Sequence, residues 1–390
     1  MYKFKRAKHA RTMGYYPYYP PIESSDVTEI TMQGEKKIML GSNNYLGLTN
    51  HPKVIEAGVI ALKKYGSGLT GSRLLNGNLI LHEELETKIA SFVKKESALV
   101  FSTGYGANLG VIGAIASIGT NSVVYSDDYN HASIIDGCTF SRAEIVRFRH
   151  NDMVHLEQLL SEKGMEDKAK FIVTDAVFSM HGDTINLPEL IKLSQSYGAR
   201  TMIDEAHSIG LYGPHGEGVA AYYDLSNAVD IIMGTFSKSL GSIGGFIAGE
   251  GPIIDYLKHH ARTMIFTAAL PAVNVATALK SLEIIANEPE HKERLWENVA
   301  FMRHNLKSMG YETGDGHSAI IPLIVGRDYR TFLFWKALLK AGIYTNPIIP
   351  PAVPKGSSLI RTSYIATHTR QQLEYCLDKF ESIGKKQNLI

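Results

Sequence analysis

Cysteine is scarce in this sequence: the chain has two, Cys138 and Cys376, among 390 residues. Two cysteines cannot form a disulfide framework, so we expect a reducing, cytoplasmic compartment. Neither sign of charge is in excess, because 40 basic and 39 acidic residues leave a formal net charge of +1. This balance indicates neither a nucleic-acid partner nor an acidic tail.

Long apolar runs are absent as well. No stretch of 18 apolar residues occurs, so we expect no membrane-spanning helix, although a peripheral contact at an inner membrane stays open. Residues 1–11 are basic, but no apolar segment follows them, which argues against a secretory signal. Internal repeats and low-complexity tracts are missing too.

What the sequence does contain is an alternation of helix and strand patterns from about residue 50 to residue 250. Helices are predicted over 52–65 and 79–95, the first ending at Gly66. Strands are predicted at 98–101, 122–126, 144–148, 171–178, from 200 onward and at 230–233. This order is typical of an α/β fold with a doubly wound, mostly parallel sheet.

The pattern divides the chain into three parts. We expect an N-terminal arm over 1–45, a large domain over 46–275 and a smaller C-terminal α/β domain over 276–390. Tyrosine and proline at 15–21 favour an extended segment lying on another surface, while a disordered leader is an equally good interpretation of residues 1–10. In the C-terminal part, helices are predicted at about 271–286 and 292–309, and strands at about 319–325 and 358–363.

The most informative stretch is Gly234–Gly245, which follows an apolar run and places Lys238 between two hydroxyl residues. Lysine forms Schiff bases with carbonyl groups, and its best-known carbonyl partner is pyridoxal 5′-phosphate (PLP). Thr235 and Ser237 supply hydroxyl donors for the phosphate of that cofactor. Taken alone, such a loop is more often a solvated turn.

A second stretch upstream supports the cofactor interpretation. Asp204 ends a predicted strand, where open α/β sheets bind their ligands, and a carboxylate there can pair with the ring nitrogen of PLP. His207, three residues on, is placed to reach the phenolic oxygen of the ring. A helix cap at Asp204 with a packed His207 is the alternative, but it does not explain why a lysine follows at this distance.

Three further strand ends carry residues that suit the same cofactor. The first leads through a glycine turn into a helix, so the backbone N–H groups of Gly104 and Tyr105 are expected to face the phosphate. His131 is predicted to stack on the pyridine ring, although a lone histidine is more often structural. Ser179 is predicted to place its hydroxyl at the phenolic oxygen. No metal ligands are predicted.

Arg361 stands out in the C-terminal part because it lies inside an apolar strand. A buried arginine is costly unless it is paired, and a carboxylate that accepts two of its hydrogen bonds is its best partner. An internal Asp or Glu would satisfy it. The carboxylate of a substrate is the interpretation that we favour.

Six features together resemble the α-oxoamine synthase family of fold-type I PLP enzymes, over nearly the whole chain from about Gly14. They are Ser-Asn-Asn-Tyr-Leu-Gly-Leu (42–48), Thr-Gly-Tyr (103–105), Asn-His-Ala-Ser (130–133), Asp-Glu-Ala-His (204–207), Gly-Thr-Phe-Ser-Lys (234–238) and Arg361. Members of this family condense an amino acid with an acyl-CoA and lose carbon dioxide. The resemblance implies a mostly parallel seven-stranded sheet in the large domain, a smaller C-terminal domain, and a homodimer with active sites at the subunit interface.

The resemblance also implies a role for each residue of the site. Lys238 is the Schiff-base lysine, Asp204 pairs with the ring nitrogen and His131 stacks on the ring, so these three are the catalytic set. The cofactor is further held by Gly104, Tyr105, Ser179, His207, Thr235, Ser237 and, from the other subunit, Thr267. Arg361 anchors the substrate carboxylate, and Asn43 contacts the substrate.

Within the family, the sequence favours L-serine and palmitoyl-CoA as substrates. Residues 15–21 supply no arginine pair for a carboxyl-bearing acyl group, and Ala352 stands where relatives that use dicarboxylic thioesters usually carry threonine. A long chain also gains about 0.8 kcal/mol for each buried methylene. Family members that use palmitoyl-CoA usually carry an acidic residue at the position of His181. This difference leaves the identity of the acyl donor and of the amino acid open.

Other functions remain open for the same sequence. Glycine C-acetyltransferase and 8-amino-7-oxononanoate synthase fit the same catalytic residues. An aminotransferase shares the lysine and the arginine but does not need a thioester pocket. A non-catalytic PLP-binding regulator would carry an appended DNA-binding domain, for which this chain has neither room nor a basic helix-turn-helix pattern.

Overall fold

The computed structural model of the chain describes residues 5–119 and 121–390, which form two compact units. One comprises Leu48–Phe178 and Thr184–Lys292, and we call it the large unit. The other comprises the chain up to Gly47, Ser179–Asp183 and Glu293–Ile390, and we call it the small unit.

Helices and strands alternate along most of the chain. The described strands are β1 (Ser24–Asp26), β2 (Glu29–Met32), β3 (Glu35–Met39), β4 (Ser97–Phe101), β5 (Ser122–Asp127), β6 (Glu144–Phe148), β7 (Ala169–Asp175), β8 (Arg200–Asp204), β9 (Ile231–Thr235), β10 (Gly245–Gly249), β11 (Ile320–Gly326), β12 (Ile343–Tyr344), β13 (Asn346–Ile348) and β14 (Ser358–Ser363). The described helices are α1 (Lys5–Thr12), α2 (Pro52–Tyr65), α3 (Ile80–Phe92), α4 (Gly104–Ile115), α5 (Ala132–Phe140), α6 (Met153–Leu160), α7 (Leu187–Ser196), α8 (Val219–Tyr222), α9 (Gly251–His260), α10 (Arg262–Ile265), α11 (Ala272–Asn287), α12 (Glu290–Ser308), α13 (Asp328–Lys340) and α14 (Arg370–Lys386).

Seven strands of the large unit form one sheet in the order β4-β10-β9-β8-β7-β5-β6. Neighbouring strands run parallel except for β10, which pairs antiparallel with both β4 and β9. The inner strands β7, β8 and β9 are buried almost throughout, as strands covered on both faces must be. The predicted α/β fold with a mostly parallel seven-stranded sheet is confirmed.

The parallel strands bring their carboxyl ends to one edge of this sheet. That edge carries Asp127, Asp175, Asp204 and Thr235, which are the last residues of β5, β7, β8 and β9. In the register of β7 and β8, Asp175 lies directly beside Asp204. The topology therefore gathers the strand ends at which the sequence places cofactor-binding residues.

The apolar core of the large unit includes side chains from the sheet and from α4, α5 and α9. Its buried members include Leu99, Val111, Ile112, Val124, Ile134, Met202, Ile231 and Ile254. Within residues 5–119 and 121–390, no helix is long and apolar enough to cross a membrane.

Two elements of the large unit end earlier than the sequence predicts. Helix α3 stops at Phe92 because Lys94 adopts a left-handed φ of 58°, which turns the chain out of the helix. Strand β7 stops at Asp175 because the chain then leaves the sheet, and Val177 pairs instead with Thr184 in an isolated bridge.

The small unit contains two small sheets, ordered β1-β2-β3-β12 and β11-β14-β13. Strand β14 is the middle strand of the second sheet, antiparallel to both neighbours, and all of its residues are buried. Helix α13 packs against β11, β13 and β14. The predicted strand over 358–363 therefore exists, with Arg361 inside it.

The N-terminal segment of the small unit begins with helix α1, where the sequence left a disordered leader open. Residues 1–4 of that leader lie outside the described residues. The Tyr15 ring meets Tyr329 of α13 edge-on, with 5.8 Å between centroids, and Lys336 Nζ lies 4.9 Å from the centre of the Tyr15 ring. The aromatic segment thus lies on a surface of its own unit.

Candidate active site

The first turn of α4 has a geometry that suits anion binding. Thr103 caps this helix, and its hydroxyl accepts a hydrogen bond from the N–H of Gly106 at 2.9 Å. A Cβ on Gly104 would lie 2.9 Å from Thr235 Oγ1, so glycine alone allows the helix start to approach that hydroxyl. Backbone N–H groups at such a helix start bind phosphate.

Three further residues predicted to contact the phosphate, Thr235, Ser237 and Tyr105, belong to the large unit. Thr235 Oγ1 lies 3.0 Å from Ser237 Oγ, and it donates to the carbonyl oxygen of Gly244 at 3.0 Å. Tyr105 is the second residue of α4, so its N–H belongs to the open first turn. The Tyr105 hydroxyl is engaged elsewhere, because it donates to the carboxylate of Asp136.

Asp204 is buried at the end of β8, with 3% of its surface exposed. Its Oδ1 accepts the N–H of Ala206 at 2.9 Å, and its Oδ2 accepts from Asn108 Nδ2 at 2.7 Å. Both oxygens are therefore held, which fixes the orientation of the carboxylate. A fixed, buried carboxylate is what a protonated ring nitrogen requires as its partner.

A second buried carboxyl, Asp175, lies beside Asp204. Burial and the negative charge of Asp204 raise the pKa of Asp175 well above its usual value, while Lys238 opposes the shift. Its Oδ2 accepts the backbone N–H of His131 at 2.6 Å, so it positions the start of α5. The sequence patterns do not single out Asp175, although it ends the strand next to the one that ends at Asp204.

His131 is linked to Asp204 by a chain of hydrogen bonds. Asn108 Nδ2 donates to Asp204 and also to Ser133 Oγ at 2.9 Å, and that hydroxyl lies 2.7 Å from His131 Nδ1. The N–H of Ser133 donates to the same ring nitrogen at 3.3 Å, so we assign the ring proton to Nε2. Burial lowers the pKa of His131; Asp204 opposes this and Lys238 adds to it. The lowered pKa favours the neutral ring, which suits stacking on a flat cofactor.

Asn108 is a site residue for which the sequence gives only a weak signal. It is 1% exposed in α4, and its Oδ1 has no hydrogen-bond partner among the described residues. Leaving a buried amide oxygen without a hydrogen bond costs about 1–3 kcal/mol. We therefore explain the asparagine at this position by the two hydrogen bonds that its amide nitrogen donates. The weak signal is a polar residue inside an otherwise apolar, glycine-rich helix.

Lys238 follows β9 in a turn that glycine shapes. Gly244 has a φ of 126°, and a Cβ there would lie 2.5 Å from the ring of Phe236, so no larger residue fits. The N–H of Phe236 donates to the carbonyl oxygen of Gly244 at 3.0 Å, which closes the turn. The charge of Lys238 lowers the pKa of both His131 and Asp175, so the lysine is close enough to act on both groups.

The small unit holds the predicted carboxylate anchor. Arg361 is 4% exposed in the middle of β14. Its Nε donates to the carbonyl oxygen of Ser179 at 2.6 Å, and its Nη2 donates to Asn43 Oδ1 at 2.9 Å and to Tyr45 Oη at 3.5 Å. Within the described chain these partners are neutral, so an internal Asp or Glu does not pair with it. A buried guanidinium in this state fits a carboxylate from outside the chain.

The predicted site residues are divided between the two units. The small unit holds Asn43, Ser179 and Arg361; the predicted contact of the Ser179 hydroxyl with the cofactor stays a prediction. His207 is buried in the large unit, and Thr267 is exposed there after α10. The other predicted cofactor contacts also lie in the large unit: Gly104, Tyr105, His131, Asp204, Thr235, Ser237 and Lys238.

The residues of the large unit fit PLP. The close approach of the α4 start to a hydroxyl suits a phosphate, and the fixed carboxylate of Asp204 suits a protonated ring nitrogen. A neutral imidazole at His131 suits the ring face, and Lys238 suits the aldehyde. Fold and site together define a fold-type I PLP-dependent transferase.

Known proteins resemble this chain along nearly its whole length. The sequence pattern of the family described as aminotransferase class I and II matches residues 35–380. The serine palmitoyltransferase of Sphingobacterium spiritivorum is 45% identical, over 98% of this chain and 95% of its own. The 8-amino-7-oxononanoate synthase of Thermoanaerobacter pseudethanolicus is 39% identical, over 99% of this chain and 97% of its own. The solved structure of serine palmitoyltransferase from S. paucimobilis with bound PLP-myriocin aldimine is 39% identical, covers 100% of this chain and 99% of its own, and has a TM-score of 0.96.

The chain therefore belongs to the aminotransferase class I and II family, and its cofactor is PLP. The resemblance to the α-oxoamine synthase family is confirmed, because the relatives include a serine palmitoyltransferase and an 8-amino-7-oxononanoate synthase. The fold-type I assignment is confirmed as well. The roles of the individual residues stay predictions.

Proposed function

We propose that the protein is a serine C-palmitoyltransferase, the enzyme of the first step of sphingolipid synthesis. It would join L-serine to palmitoyl-CoA, with loss of CoA and carbon dioxide, to give 3-ketodihydrosphingosine. The observation that carries the proposal is the 45% identity to a serine palmitoyltransferase over 98% of the chain. Arg361 adds support, because its described partners are neutral and leave its charge for the carboxylate of an amino acid.

In this proposal the residues of the site divide the work. When bound, PLP supplies an electron-withdrawing ring that makes the proton on the substrate Cα acidic. Lys238 removes that proton with its amine and returns one to the same carbon at the end. Asp204 keeps a proton on the ring nitrogen, and Arg361 binds the serine carboxylate until it leaves as carbon dioxide.

In this proposal the remaining residues of the site hold and orient the cofactor and the substrate. The N–H groups of Gly104 and Tyr105 bind the phosphate together with the hydroxyls of Thr235 and Ser237. His131, neutral and held by Ser133, covers one face of the ring. The phenolic oxygen is contacted by His207 and Ser179, and the substrate by Asn43.

We propose a homodimer with shared active sites. Thr267 is exposed, and so are two large apolar side chains near it in the chain or in space, Phe266 at 72% and Leu75 at 80%. The turn that carries Leu75 is tied to the Thr267 segment, because the N–H of Ala269 donates to the carbonyl oxygen of Gly71 at 2.9 Å. Exposed apolar side chains gathered in this way are typical of a subunit interface.

Complementation tests the shared site. Inactive Lys238→Ala and inactive Thr267→Ala chains, mixed and exchanged, should recover part of the wild-type activity, because one mixed site would contain neither substitution. A monomer in light scattering at micromolar concentration would contradict the proposal.

We also propose a cytoplasmic location, with the acyl substrate taken up at the surface of the inner membrane. The support is the proposed fatty acyl-CoA substrate, whose chain partitions into lipid. After cell lysis, part of the protein should sediment with membranes and be released by a high-salt wash. Protein that stays in the supernatant at low salt would rule out the membrane contact and leave the enzymatic proposal intact.

The substrate assay measures release of CoA from a series of acyl-CoA donors from C2 to C16 and from pimeloyl-CoA, each with serine, glycine or alanine. We expect efficiency with serine to rise from C8 toward C16, because each buried methylene adds about 0.8 kcal/mol of binding. The identity of 39% to an 8-amino-7-oxononanoate synthase makes that activity the second candidate. Greatest efficiency with alanine and a pimeloyl thioester would favour it, and glycine with acetyl-CoA would favour the acetyltransferase.

A further inference from the structure

A cluster of three potential metal ligands lies in the large unit, apart from the residues assigned to PLP. It consists of His51, which precedes α2, Glu288, which follows α11, and His291, in the first turn of α12. One ligand atom from each residue lies within 4.8 Å of the other two. The sequence does not predict this cluster, because His51 is remote along the chain from the other two.

The spacing within the cluster suits a metal ion better than a direct hydrogen bond. His291 Nε2 lies 3.7 Å from Glu288 Oε2, which is too long for a hydrogen bond. Two ligands of a tetrahedral zinc ion, each about 2.0–2.1 Å from the metal, lie about 3.3 Å apart. The rings of His51 and His291 meet edge to face, with 5.9 Å between centroids, so they are close without stacking.

The cluster also contains a polar atom that the protein itself does not satisfy. His51 Nδ1 is buried and has no hydrogen-bond partner among the described residues. A buried polar atom in this state is unfavourable unless something else binds it. A metal ion would do so, since neutral imidazole is a common ligand of zinc.

The positive charges of the two neighbouring lysines, Lys53 and Lys292, do not prevent a cation from binding to the cluster. Lys53 Nζ donates to Glu288 Oε1 at 2.6 Å, so the other carboxylate oxygen faces His291, and the lysine holds the carboxylate in that orientation. Lys292 follows His291, but its Nζ donates to the carbonyl oxygen of Gly213 at 2.7 Å. Its charge is therefore partly compensated outside the cluster.

We propose that His51, Glu288 and His291 bind one zinc ion, with water as a fourth ligand. Two imidazoles and one carboxylate form an accepted ligand set for zinc. His51 and Glu288 are partly exposed, so the ion can enter from solvent. The site would join the start of α2 to the junction of α11 and α12, so zinc should stabilise the large unit.

The test is a calorimetric titration of the tag-free, PLP-loaded protein with zinc chloride, after removal of unbound PLP. We expect one zinc per chain and a higher Tm with zinc than without it. His51→Ala and His291→Ala should each weaken binding by about tenfold or more. His304→Ala, which removes an exposed histidine outside the cluster, should bind zinc like the wild type.

A second measurement avoids any variant that fails to fold. Wild-type crystals soaked in zinc chloride should show an anomalous peak at the zinc absorption edge, bonded to all three residues. Zinc bound only at other residues would overturn the proposal. So would the absence of binding, or an affinity that neither histidine substitution changes.

Discussion

The two units differ in how they satisfy the ionisable side chains that form their parts of the candidate site. The large unit buries Asp175, Asp204 and Glu205, and each accepts hydrogen bonds from donors of that unit. The small unit buries Arg361, whose described partners are neutral oxygens. A buried acid that is fully hydrogen-bonded is a fixed part of the structure, whereas a buried base without an acid is prepared for one. By this comparison we expect the residues of the large unit to hold the cofactor and Arg361 of the small unit to bind a carboxylate.

Among the substitutions that test this comparison, we expect the largest loss of turnover from replacing Lys238 in the large unit. Lys238→Ala should lower turnover by about 10⁴-fold, the upper end of what loss of a general base costs. PLP should stay bound without a covalent bond, because the phosphate and ring contacts are intact. After borohydride reduction of the wild type, mass spectrometry should find the cofactor on Lys238.

The matched control is Lys192→Ala, which removes an exposed lysine of α7. It should keep wild-type turnover. Covalent cofactor on any lysine other than Lys238 would refute the assignment.

The small unit is tested by Arg361→Lys, which keeps the charge but removes the planar pair of donors. Hydrogen bonds to a charged group contribute about 1.5–3 kcal/mol, so KM for serine should rise by about 10–100-fold. KM for the acyl-CoA should stay near its wild-type value. Steady-state kinetics with each substrate varied in turn measures both.

The control is Arg303→Lys, in another arginine of the small unit that donates to main-chain carbonyls, those of Ser318 at 3.0 Å and Ile320 at 3.2 Å. Arg303→Lys, like Arg361→Lys, changes an arginine that donates to main-chain carbonyls, but Arg303 has no proposed contact with the substrate. An equal rise of KM for serine in both variants would mean that Arg361 does not bind the carboxylate.

The sequence predicts those residues of the candidate site that a local pattern marks. Lys238, Asp204 and His131 stand in short motifs at strand ends, so contiguous residues suffice to find them. Arg361 is found because an arginine in an apolar strand is conspicuous by itself. The strands and helices for which the sequence gives limits lie within a few residues of those limits, since apolar periodicity and glycine stops are local signals.

Features that depend on which distant segments meet are not predicted. Asp175 and Asn108 join the site only through strand register and helix packing, and the cluster at His51 needs two remote helix ends. The reversed direction of β10 is likewise invisible in its apolar run. The domain limits at 45/46 and 275/276 stay a prediction, which limited proteolysis can test.

Asn108→Ala tests whether the hydrogen bond from Asn108 holds the carboxylate of Asp204 in place. This change removes one of the two bonds to Asp204 and the bond to Ser133. Turnover should fall by about tenfold, as expected for loss of a bond to a charged group. The pH dependence of the visible absorbance of the bound cofactor should also shift, because Asp204 is less firmly held beside the ring nitrogen.

Two variants separate this role from general packing. Ser133→Ala keeps the bond to Asp204 and should leave the absorbance titration near the wild type. Asn121→Ala, in an exposed asparagine, should change neither property. An unchanged titration in Asn108→Ala would show that Asp204 does not depend on the amide.

The smallest expected effect on activity concerns His368, a buried imidazole of the small unit. His368 of the small unit is 5% exposed; its Nδ1 accepts the N–H of Ile365 at 2.9 Å and its Nε2 donates to the carbonyl oxygen of Met39 at 3.1 Å. Burial lowers the pKa of His368 to about 4. The bonds to the main chain at Met39 and Ile365 oppose this lowering, and we expect the protonation of His368 to affect stability rather than turnover.

The sign of that effect follows from proton counting. Because the pKa of histidine in an unfolded chain is about 6.5, the unfolded state binds a proton between pH 6.5 and 4 that the folded state does not. The free energy of unfolding should therefore fall as the pH falls through this window, by about 3 kcal/mol in total. His368→Gln should remove this part of the pH dependence in urea unfolding, whereas His304→Gln, in an exposed histidine, should retain it. Equal slopes in the two variants would show that another group titrates, and turnover at neutral pH should be the same in both.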